Sequence, residues 1–97
     1  MDFVESARQQ LTPLITEVIA QLDGETQVLE TSFFTLRLVE ANQMEADVEL
    51  LNLFFELSTT AFQGFSFTAE QAEHIDHLLA VAENISFTLS ASSSDAH

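Results

Sequence analysis

The side chains with the clearest capacity for chemistry fall in one octet, Glu70-Gln71-Ala72-Glu73-His74-Ile75-Asp76-His77. On a helix, His74 and His77 share a face and Glu70 lies one turn before His74. Two imidazoles and a carboxylate suit zinc or iron. The spacing is neither the Glu-x-x-His of di-iron bundles nor the His-Glu-x-x-His of zinc proteases. A metal bound to Glu70, His74 and His77 would therefore need ligands from another helix or subunit. Alternatively the octet is a solvated face with Glu70–His74 and Glu73–His77 pairs at spacing four. That is the preferred expectation, and no cofactor is expected. An imidazole titrates near neutrality, so His74 could also sense pH or accept a phosphoryl group. A phosphotransfer helix sets its His beside a Lys, and the chain has none.

Other reactive chemistry is scarce. Cys, Lys, Tyr and Trp are all absent, which removes most covalent nucleophiles. The two glycines make no phosphate-binding loop, and two arginines offer little hold for an anionic substrate. Paired carboxylates such as Glu45 and Asp47 read as solvated helix positions. The expectation is a protein without catalytic activity.

Charge is the strongest global feature. Sixteen acids face two bases, Arg8 and Arg37, for a net charge of −14 over 97 residues. Such a chain repels nucleic acid and anionic membranes. It is nevertheless 46% hydrophobic, so it is expected to fold with a negative exterior instead of staying disordered. The length suits one domain, over residues 1–91, followed by a polar, disordered tail over 92–97. No apolar run reaches the ~20 residues that span a bilayer. The N-terminus has acids and no apolar leader, and cysteine is absent; a cytoplasmic location is expected.

The elements that must position these groups read as helices. Residues 2–10 form a weak helical lead-in. Thr12-Pro13 has the composition of a helix start, with a kinked continuous helix as the alternative. Leu11, Leu14, Ile15, Val18, Ile19 and Leu22 make one apolar stripe, closed by Asp23-Gly24, with Gly24 suited to a left-handed backbone. Residues 26–42 are ambiguous, because Thr31 to Val39 also has strand propensity. Helix is preferred, since a lone strand needs a partner. A break is expected near Asn42-Gln43, although one long helix over 26–61 also fits the pattern.

Residues 44–62 read as the central helix, within the most apolar stretch of the chain. One stripe holds Leu50, Leu53, Phe54, Leu57 and Ala61; a second holds Val48, Leu51, Phe55 and Phe62. An arc that wide implies burial on more than one side. Gln63-Gly64 stops the helix, Phe65-Ser66-Phe67 connects, and Thr68 to Gln71 is a capping box. Ala72, Ile75, Leu78 (or Leu79), Ala82, Ile85 and Leu89 then carry a last helix to about Ser90.

The expected fold is all-α: a small antiparallel bundle of three to four helices. The surplus apolar stripe favours a homodimer. The expected function is recognition of another protein with a basic or helical surface. Phe54, Phe55, Phe62, Phe65 and Phe67 would supply affinity, and the denser acids Glu40, Glu45, Asp47 and Glu49 would supply steering. Two versions compete. The first is an inhibitor that imitates the charge of nucleic acid. The second is an adaptor or secretion-type chaperone that grips an apolar helix.

Overall fold

The computed structural model describes the backbone of residues 3–95 and the side chains of residues 3–89. The helices are α1 (Phe3–Gln21), α2 (Val28–Gln43), α3 (Asp47–Ser58) and α4 (Ala69–Asp95), with a 3-10 turn at Thr59–Phe62 after α3. There is no strand among the described residues, so 31–39 is helical as preferred. The expected all-α bundle is what forms.

Helix α1 buries Val4, Ala7, Leu11, Ile15 and Val18. The steps of three and four keep them on one line along the helix. It continues through Pro13, so the expected start at Thr12-Pro13 is corrected to a continuous helix. Pro13 and Gln9 are both exposed, so water can serve the Gln9 carbonyl that loses its helical donor. The Thr12 hydroxyl meanwhile bonds the Arg8 carbonyl at 2.9 Å.

The turn after α1 also differs from expectation. Gly24 is not left-handed; the only positive φ among the described residues is at Gly64 (75°). The Asp23 carboxylate organises the turn instead, accepting from the Glu25 N–H at 2.9 Å and the Thr26 N–H at 3.4 Å. The Glu25 backbone bond, then Thr26, hold the Asp23 carboxyl below its ordinary pKa.

Helix α2 ends at Gln43, close to the expected break. Met44 is fully buried there, and the Glu49 carboxylate takes the Glu45 and Ala46 N–H groups at 3.0 and 3.1 Å to start α3. The central helix is shorter than the expected 44–62. The hydroxyls of Ser58, Thr59 and Thr60 each bond the carbonyl three residues back, at 2.6–2.7 Å. Three such groups in a row compete with the α-helical ladder and tighten it to 3-10.

The expected capping box of α4 forms: Thr68 Oγ1 accepts from the Gln71 backbone N–H at 3.1 Å, and Gln71 Oε1 accepts from the Thr68 backbone N–H at 3.0 Å. The backbone helix continues to Asp95, past the expected end near Ser90, so residues 92–95 are helical where a disordered tail was expected. Once a helix is established, each further residue adds one hydrogen bond for one residue fixed. Ala96 and His97 lie outside the described residues.

The helices are antiparallel neighbours in chain order. Arg8, early in α1, reaches the carbonyls of Ala41 and Met44 at the end of α2. Gln71, at the start of α4, donates to the Gln21 carbonyl at the end of α1 at 2.8 Å. The most extensive packing is α1 on α2 and on α4, while α3 closes the ring between α2 and α4. One core draws on all four helices, with Leu11, Ile15, Phe34, Leu53, Leu57 and Leu78 at its centre.

Candidate partner-binding surface

The two apolar stripes of α3 meet different fates. Leu50, Leu53, Phe54 and Leu57 are buried. Val48, Leu51 and Phe55 are exposed, and so is Phe62 in the turn beyond; Phe55 keeps 66% and Phe62 86% of their surface. A run of exposed apolar side chains of this kind is uncommon on the surface of a soluble monomer.

The five phenylalanines expected at the binding surface are therefore divided. Phe54 is buried. Phe65 and Phe67 are half-buried and belong to a closed set of four rings with Phe33 and Phe34, whose centroids lie 5.1–6.3 Å apart. Edge-to-face contacts of this kind fix the connector to α2. Only Phe55 and Phe62 stand outside. Ala61, expected on the inner stripe, is exposed because the 3-10 turn rotates it off the helical line.

An open groove of about 490 Å³ runs between α3 and α4. Leu51, Phe55 and Ser58 form one wall; Leu79, Glu83 and Ser86 form the other; Phe54, Leu57 and Ala82 lie at its base. The small side chain of Ala82 opens the space between the two helices. Leu79 appeared in the sequence only as an alternative core position. It is half-buried, with one side on the core and the other in the groove.

The four acids singled out for steering do not form one free row. The Glu40 carboxylate pairs with Arg37, and Glu49 is occupied at the start of α3. Glu45 and Asp47 are exposed. Arg37 also bonds Glu56 of α3 at 3.0 Å, with its guanidinium 4.7 Å from the centre of the Phe33 ring. Arg8 binds Glu5 as well as the end of α2. Both arginines thus tie helices together, and among the described residues most carboxylates face solvent without a cationic partner.

His77 and Glu70 are exposed and His74 is half-buried. Among the described residues no group of three or more His, Asp or Glu side chains converges to hold a metal ion. No helix among them is long and apolar enough to cross a membrane.

A buried amide clasp escaped the sequence reading. Gln71 and Gln27 exchange reciprocal bonds at 2.9 Å. The Gln71 amide also serves Thr68 N–H and the Gln21 carbonyl, while the Gln27 amide serves Asp23 N–H and the Ser66 carbonyl. Both amides are fully used, which is how a buried glutamine becomes tolerable. The capping-box motif was the only signal, and it points to a local role for Gln71, not to one joining three segments.

Comparison with models of known protein families, with curated proteins and with solved structures found no match.

Proposed function

We propose that this chain is a non-catalytic binding module that holds a helical segment of another protein in the α3–α4 groove. The single observation that carries it is the exposed outer stripe of α3 opening onto that groove. A volume of about 490 Å³ lies within the usual range of ligand sites. Its open shape between two antiparallel walls suits a helix laid lengthwise, where anchors at i, i+3 and i+7 can enter. Covering Phe55 would supply up to roughly 1.5–3 kcal/mol. The surrounding acids would speed encounter with a basic partner and discourage acidic ones.

This is the adaptor version of the two expectations. Charge mimicry of nucleic acid draws on the same acidic exterior, but Glu40 and Glu49 are occupied within the fold, which leaves it with fewer of its expected contacts. A cytoplasmic setting fits a cysteine-free chain of this kind.

Self-association is favoured by a separate observation. Val28, Leu29, Leu36 and Val39 are all exposed on α2, and helical spacing places them with Ser32 and Thr35 on one uncharged arc. Two copies carrying −14 each repel least where charge is absent. A homodimer built on α2 would leave the groove open.

The test is binding of a neutral helical peptide with one Leu stripe, followed by fluorescence anisotropy. Saturable binding that Phe55→Ala weakens about tenfold or more supports the groove. Binding that is absent, or indifferent to Phe55, rejects it. Sedimentation equilibrium of the chain and of Leu36→Glu tests the dimer separately.

A further inference from the structure

The two rims of the groove differ. On α3 the middle of the rim is uncharged, since Val48, Asn52 and Phe55 are exposed along one line, and its single acid, Asp47, stands at the first turn of the helix. On α4 the helical period sets Asp76, Glu83 and Phe87 along the outer side of the Leu79–Ser86 wall. All three are exposed. The same period turns His74 and His77 toward the opposite side of α4. Neither α3 nor α4 contains a Lys or Arg, and Glu56, on the other flank of α3, is already paired with Arg37.

We infer that the occupant of the groove is an amphipathic helix whose apolar stripe is bordered on one side by Lys or Arg, with that border lying against α4. The inference rests on the groove being the docking surface and adds the chemistry and orientation of what docks. Phe55 and Leu51 would take the apolar stripe. Asp76 and Glu83, two turns apart, would meet basic residues at matching spacing. A second copy of this chain offers no such border, because it has no Lys and both arginines bind within the fold.

Three helical peptides of roughly 18 residues, with one shared Leu stripe and borders of Lys, Gln or Glu, provide the probe. The Lys peptide is expected to bind the full chain about tenfold more tightly than the Gln peptide at about 50 mM salt, with the gap closing near about 0.5 M. The double variant Asp76→Asn/Glu83→Gln should remove about two-thirds or more of that advantage. A control with the same charge change, Glu17→Gln/Glu25→Gln, should leave most of it.

Equal affinities for the Lys and Gln peptides, or equal losses from the two double variants, would overturn the acidic rim. Binding that still depends on Phe55 would in that case keep the groove itself. Failure of all three peptides to bind would reject both. A dimer that separates on Phe55→Ala would make a second copy the occupant and also overturn the inference.

Discussion

The two stripes of α3 are chemically alike and physically opposite. Leu50, Leu53, Phe54 and Leu57 lie inside; Val48, Leu51 and Phe55 lie outside on the same helix. Hydrophobicity alone does not separate them. The difference is set by how many helices the chain can bring to bear. α1, α2 and α4 cover one side of α3, and among the described residues no further helix covers the other. The inner stripe makes stability and the outer stripe is left exposed.

The sharpest way to break this contrast is a matched pair of truncations. Leu53→Ala should cost about 2–5 kcal/mol in denaturant unfolding, from lost burial and the cavity left behind. Val48→Ala should change stability by no more than about 0.5 kcal/mol. Similar losses from both would mean that the outer stripe is covered after all.

A smaller effect is expected at the clasp that seats α4 beside α1. Gln71→Ala strands the Gln27 amide and the Gln21 carbonyl, at about 1–3 kcal/mol. Hydrogen exchange should show the loss concentrated at the start of α4. An unchanged melting temperature would show that water replaces the amide without penalty.

Salt acts on the exterior and spares the inner stripe. Raising ionic strength from about 50 mM to about 0.5 M should raise the melting temperature by a few degrees, because screening relieves self-repulsion. A fall would mean that the Arg37–Glu56 and Arg8–Glu5 pairs outweigh the unpaired acids.

The least effect is at Asp23. Its folded pKa is lowered, so its contribution is present above the ordinary carboxylate range and lost as pH falls through the folded value. The stability difference between wild type and Asp23→Ala should therefore shrink between about pH 5 and about pH 3. A difference that grows on acidification would reverse the assignment.

Much of the architecture was legible in the sequence because it is local. The heptad-like steps in α1 and α4, the Thr68–Gln71 box and the break near Gln43 each depend on neighbours within a turn or two. The Ser58-Thr59-Thr60 run that shortens α3 is local as well, but the apolar pattern that continues across it points to a helix as far as residue 62. Pro13 misled because its effect depends on whether the freed carbonyl meets water, which is a matter of exposure.

The candidate site was less legible. Phe55 and Phe65 look equivalent as residues, and only the packing of Phe33, Phe34, Phe65 and Phe67 against one another separates them. Glu40 resembles Glu45 until Arg37 lies beside it. The sequence by itself determined a helical, acidic chain with more apolar surface than its helices could cover. Tertiary structure decided which surface was left over, because burial is settled between segments distant in sequence and no local pattern records who the neighbours will be.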